Sequence, residues 1–159
     1  MESKKVARLL KVMSAAAALV GVLFFFWYVP KAVNDCAVIE PEAAWLKWPG
    51  LIGMWVIALF CYLALGEFWS VCTRIGTDNS FCAENSRSMK QIGMLAFLTG
   101  ASVLAGAVFL GFCGYLNGAL AFLVFFILCI AAGIGVTCLA LSSLIGNAAR
   151  LKEENDLTI

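Results

Sequence analysis

Between Gln91 and Ala149 the chain carries no Asp, Glu, Lys or Arg. A helix needs roughly 20 apolar residues to cross a bilayer core, so this run predicts two crossings with a turn between them. The turn falls in "GFCGYLNG", where Gly111, Gly114, Asn117 and Gly118 crowd together as a tight hairpin requires. Two further apolar runs precede it, giving four predicted spans at about 12–33, 49–71, 91–112 and 119–147. A polar loop at 72–90 and a tail at 148–159 complete the chain. Residues 1–159 therefore read as one all-α, polytopic four-helix transmembrane domain, with the third and fourth helices as neighbours.

The first apolar run begins with basic residues, as a signal peptide does. Its length and the absence of a small-x-small cleavage pattern in "VPKAVNDC" identify it as a span, and Asp35 directly before Cys36 argues against lipid attachment. In the third span Gly93, Ala96, Gly100, Ala107 and Gly111 fall near one helical face, and Ala131, Ala132, Gly133 and Gly135 offer matching small residues in the fourth. Small side chains let backbones approach closely in lipid. This is read as packing within one chain, with an oligomer contact as the alternative. From Phe81 onward the residues suit a helix running straight into the third span. Counted to Gly111 it has 31 residues, about 46 Å at helical rise, and must project beyond the core.

Composition agrees: 63% hydrophobic with 13% charged residues excludes an ordinary soluble domain. The net charge of +1 conceals a strong asymmetry. Lys4, Lys5, Arg8, Lys11, Arg74, Arg87, Lys90, Arg150 and Lys152 lie on one side of the predicted membrane, and only Lys31 and Lys47 on the other. By the positive-inside rule both termini and the middle loop are expected in the cytoplasm. Lys4, Arg8 and Lys11 share a helical face that anionic inner-leaflet lipid would attract. Trp27, Tyr28, Trp45 and Trp48 read as the outer aromatic belt, and Trp69 falls at the inner interface.

Candidate chemistry is sparse. There is no histidine, which removes His-based acid–base catalysis and His metal ligation. None of the seven cysteines forms a Cys-x-x-Cys pair, and Cys61, Cys129 and Cys138 lie within spans as packing residues. Cys36 and Cys113 both fall on the outer side, either as free thiols or as a disulfide if the first and third spans are adjacent. Glu67 alone is acidic within a span. It is a possible proton or cation site, or a snorkelling or Arg74-paired glutamate about 27 Å along the helix from Pro49. With Ser70, Thr99, Ser102 and Thr137 it supports the alternative of a small oligomeric transporter or channel. No catalytic set, cofactor site or metal site is expected, and no direct contact with nucleic acid.

Two motifs carry a family resemblance. "FCAENSRSMKQIG" resembles the Phe-x-x-Glu-Asn pattern, followed by a hydrophobe, a base and Ile, before the third helix of a bacterial membrane family described as domain of unknown function 2975. "LKEENDLTI" is similar to that family's closing Glu-Asn-Asp-Leu-Thr-Ile. The resemblance covers essentially the whole chain, with one departure at Cys82, where members commonly have a capping Ser or Thr. It implies a bacterial inner-membrane protein. Because members often occur beside a small helix-turn-helix DNA-binding protein, it also implies a membrane partner for a transcription regulator. The two motifs are expected to form one cytoplasmic platform of Phe81, Glu84, Asn85, Arg87, Lys90, Glu154, Asn155, Asp156, Leu157 and Ile159. In it Arg87 and Lys90 would face Glu153, Glu154 and Asp156, while Phe81 and Met89 would meet Leu151, Leu157 and Ile159. The alternative is a solvated tail that only fixes topology.

Overall fold

The computed structural model describes residues 2–77 and 81–156, and among these it contains helices and no strands. Helix α1 (Glu2–Val22) passes through a six-residue π-helical segment (Leu23–Tyr28) into α2 (Val29–Ile39). A short 3₁₀ segment (Pro41–Leu46) then leads into α3 (Lys47–Gly76), followed by α4 (Ala83–Phe112) and α5 (Gly118–Asp156). Four helical stretches are long and apolar enough to cross a membrane: Lys4–Ile39, Pro41–Gly76, Ala83–Phe112 and Gly118–Lys152. Each has 30 to 36 residues, more than the roughly 20 a crossing requires, so the helices extend past the apolar core.

One turn before the π-helical segment, Tyr62 of α3 donates its hydroxyl to the carbonyl oxygen of Ala18 at 3.0 Å, tying α1 to α3. Gly21 leaves room for the hydroxyl, since a Cβ there would stand 3.0 Å from Tyr62 Oη.

The helices pack in chain order: α1 against α3, α3 against α4, and α4 against α5. Among the described residues α1 makes no close backbone approach to α4 or α5, and α3 makes none to α5. The domain is thus an open row of four crossings. Large apolar side chains such as Phe26, Phe122, Phe125 and Leu144 point outward along it, as lipid-facing surfaces do.

The α1–α3 and α4–α5 seams are built at seven-residue spacing. Ala7 and Ser14 of α1 are buried against α3, whose own buried residues include Leu51, Ala58 and Cys72. On α4, Gly93, Gly100 and Ala107 are buried toward α5, where Ala131 and Gly135 meet them. A Cβ at Gly93 would lie 3.0 Å from the Gly135 carbonyl oxygen, and one at Gly135 would lie 2.7 Å from the Phe97 ring. Only glycine admits that approach. Gly111, Ala132 and Gly133, expected from sequence on the same seam, are exposed. The α4–α5 turn closes through Gly114 at a φ of 79°, a left-handed conformation that glycine adopts without strain.

Of the two states open to Cys36 and Cys113, the free thiol is the one found at both; α2, which carries Cys36, approaches α3 and the 3₁₀ segment and makes no close approach to α4. One expectation is corrected here. Helix α4 starts at Ala83, not at Phe81, because Cys82 is extended (φ −129°, ψ 156°) and makes no side-chain cap.

Candidate functional site

Polar side chains gather at the end of the row that carries both chain ends and the connection between α3 and α4. Arg74, in the last turn of α3, reaches across to α4, where its Nη1 donates to Asn85 Oδ1 at 3.2 Å and to Ser88 Oγ at 3.0 Å. Asn85 is 1% exposed and Ser88 3%, so the guanidinium closes over two acceptors that water does not reach. Hydrogen bonds to a charged group contribute about 1.5–3 kcal/mol each, and leaving a buried partner unmatched costs a similar amount. Asn85, expected on an exposed platform, is therefore a buried structural acceptor.

Two turns further into α3, Glu67 faces Gln91 of α4. With its amide nitrogen turned to the carboxylate, Gln91 donates to both Glu67 oxygens at 3.1 and 3.2 Å. Arg74 bonds Asn85 and Ser88 instead of Glu67. The pairing considered from sequence fails because Asn85 and Ser88 lie directly across the seam from Arg74, whereas Glu67 lies two turns back along the same helix. Two open surface hollows border Val20, Leu23, Phe24, Trp27 and Tyr28 in one case and Glu40, Pro41, Glu42 and Tyr115 in the other, and neither includes Glu67. Among the described residues no group of His, Cys, Asp and Glu could hold a metal ion.

On its other face α4 is tied to α5. Ser86 Oγ donates to the Ser142 carbonyl at 2.7 Å, and Ser142 Oγ donates to the Ser86 carbonyl at 2.7 Å, with the hydroxyls 3.2 Å apart. Ser86 sits one heptad before Gly93 and extends the small-residue seam. Glu84, in the first turn of α4 and outside the apolar crossing, is fully exposed. Its own backbone N–H, then the Cys82 thiol and the Arg74 charge, hold its carboxyl below the ordinary glutamate range. In effect Glu84 supplies at the helix start what Cys82 does not.

This register decides where the platform residues stand. Ser86 lies beside Ser142 and Gly93 beside Gly135, which in this antiparallel pair places Arg87 level with Leu141. Glu154 is about thirteen residues further along α5, roughly 20 Å at helical rise. The expected pairing of Arg87 and Lys90 with Glu154 does not form. Arg87 and Lys90 are exposed on α4, while Glu154 Oε1 accepts from Arg150 Nε at 3.2 Å within α5, with both side chains largely exposed. Such an exposed pair contributes 0–1 kcal/mol. Phe81, Asn155 and Leu151 are exposed. Helix α5 continues past the level of Ala83 to Asp156. The side chains of Glu153 and Asp156, and all of Leu157 and Ile159, lie outside the described residues.

Sequence reasoning missed three contacts: the Arg74 bridge, the Ser86–Ser142 clasp and the approach of Lys11 Nζ to 5.5 Å from the centre of the Trp69 ring. The heptad spacing of Ser86 with Gly93, Gly100 and Ala107 is the signal that could have found the clasp.

These features define a multi-pass α-helical membrane protein with a polar end between its second, third and fourth crossings. The chain belongs to the family described as Protein of unknown function (DUF2975), whose model matches residues 31–159. It is similar to "Uncharacterized membrane protein YoaS" of Bacillus subtilis (strain 168), 28% identical over 133 residues that cover 82% of this chain and 83% of that protein. No solved structure matches it.

Proposed function

We propose that this is a non-enzymatic docking protein of the bacterial inner membrane, with both termini and the α3–α4 connection in the cytoplasm. There it holds or restrains a small soluble helix-turn-helix regulator. The observation that carries the reading is the α5 extension. Arg74 and the Ser86–Ser142 clasp fix the ends of α3, α4 and α5 to one another. Beyond them α5 continues as a charged helix with Leu151 exposed, and Phe81 and Arg87 stand exposed at the base of that extension. A fixed base carrying a projecting helix suits a protein partner better than a small solute. The helix-turn-helix identity rests on the family resemblance, and the orientation on the distribution of Lys and Arg. Release would require the partner to bind two states of the platform unequally.

The test is affinity purification from the native membrane in mild detergent, with the full chain and with a chain lacking residues 152–159. A helix-turn-helix protein retained by the full chain and lost from the shortened one is the expected result. Identical co-purifying proteins in both preparations would contradict the reading.

A further inference from the structure

At the same end of the row, the seam between α1 and α3 carries a second polar feature that the docking reading does not use. Ala7 and Ser14 are buried against α3, and a Cβ on Gly76 would lie 3.3 Å from that of Ala7. This contact fixes the rotation of α1. At 100° per residue Lys4, Arg8 and Lys11 fall within about 60° of one another, on the flank next to that buried face, whereas Lys5 points away. Lys4 and Arg8 are exposed and Lys11 is half-buried, its Nζ held 5.5 Å from the centre of the Trp69 ring across the seam.

Among the described side chains no carboxylate pairs with the stripe. The sequence has no Asp or Glu from Ser3 to Asn34 and none from Phe68 to Thr77, and the side chains of Glu2 and Asp78 lie outside the described residues. Among the described residues the only ion pair joins Arg150 and Glu154, at the end of α5, and α5 makes no close approach to α1. Three cations along about 10 Å of helix thus stand where the apolar part of α1 begins, beside a half-exposed tryptophan. Trp side chains prefer the headgroup level, and a cation over an indole ring is already partly stripped of water.

We infer that Lys4, Arg8 and Lys11, with Trp69, form a binding site for the phosphate headgroup of an anionic phospholipid. Its acyl chains would lie along the apolar flank of the α1–α3 seam. Lys11 on Trp69 sets the depth of the phosphate, and Arg8 and Lys4 meet it from the aqueous side. The site depends on α1 packing against α3 and is independent of any partner at α5.

The test uses the full chain, stripped of lipid in mild detergent, offered phosphatidylglycerol or phosphatidylcholine, with bound lipid counted by native mass spectrometry. The wild type is expected to prefer phosphatidylglycerol. Replacing Lys4, Arg8 and Lys11 by Gln lowers that preference by roughly fivefold per cation, and Lys11→Arg retains it. Lys5→Gln, which removes the same charge from the face turned away from α3 and Trp69, leaves the preference unchanged. Equal loss from Lys5→Gln and Lys11→Gln would mean diffuse attraction and would overturn the site, as would an unaltered preference in the triple variant. Displacement of the lipid by an equal concentration of glycerol phosphate would identify a soluble-anion site and overturn the lipid assignment. Unchanged helicity by circular dichroism separates loss of binding from loss of fold.

Discussion

The two faces of α4 are held by different physics. Toward α5 it offers glycine and alanine at seven-residue spacing, and the contact is backbone against backbone, with Gly93 beside the Gly135 carbonyl. Toward α3 it offers Asn85, Ser88 and Gln91, and the contact is a ladder of side-chain hydrogen bonds to Arg74 and Glu67. In lipid the first seam draws on close packing, which any added atom disrupts. The second draws on partners that can be exchanged or protonated one at a time. The α4–α5 seam therefore sets the register, and the α3–α4 seam is where the domain can be adjusted.

If that division holds, the largest effect belongs to the small-residue seam. Gly93→Val places methyl groups where even a Cβ would lie 3.0 Å from the backbone carbonyl oxygen of Gly135. Overpacking of this kind costs about 1–3 kcal/mol or more, seen as a lower unfolding midpoint in detergent. Next comes the polar ladder. Asn85→Leu removes an acceptor of the Arg74 guanidinium from a site that is 1% exposed, and a loss of about 1–3 kcal/mol is expected, whereas Arg74→Lys, with one donor centre, loses less. Ser142→Ala breaks one half of the clasp for about 0.6 kcal/mol, the usual worth of an interhelical hydrogen bond in a membrane protein.

Glu67→Gln is expected to change stability least among the buried-seam variants, because Gln91 can donate to an amide oxygen as it does to a carboxylate. Equal destabilisation by Glu67→Gln and Asn85→Leu would erase the distinction between a charged anchor and an exchangeable pair. The smallest effect is electrostatic. Glu84 has its carboxyl held below the ordinary range by its own N–H, the Cys82 thiol and Arg74. For a depressed carboxylate the contribution is present above the unfolded-state pKa and is lost as pH falls through the lower folded value. The first turn of α4 should loosen only below the ordinary glutamate range. Nuclear magnetic resonance titration of the Glu84 side chain measures this directly.

The crossings were legible in the sequence because hydropathy depends on composition, and Gln91 to Ala149 has no charge to confuse it. The α4–α5 hairpin was legible because turn formers and small residues advertise it. What escaped was decided by register and rotation. Whether Arg74 meets Glu67 or Asn85 depends on how α3 and α4 slide past each other, and hydropathy is blind to that offset. The sequence reading also set Arg87 opposite Glu154, since the outer hairpin ties the tail to the projecting start of the third span. The glycine contacts place Glu154 three to four turns further out along α5. The Tyr62 bond to the Ala18 carbonyl was equally hidden, because it joins residues of two different helices.

The central claim is that α5 projects clear of α4 as an arm for a soluble partner. The direct test is the distance between spin labels at Arg87→Cys and Glu154→Cys in a chain whose seven native cysteines are replaced by Ser or Ala. The register predicts an axial offset of roughly 20 Å between the two backbone positions, and labels well out of contact. A distribution centred on direct contact between the labels would mean that the tail folds back onto α4, and the arm would not exist.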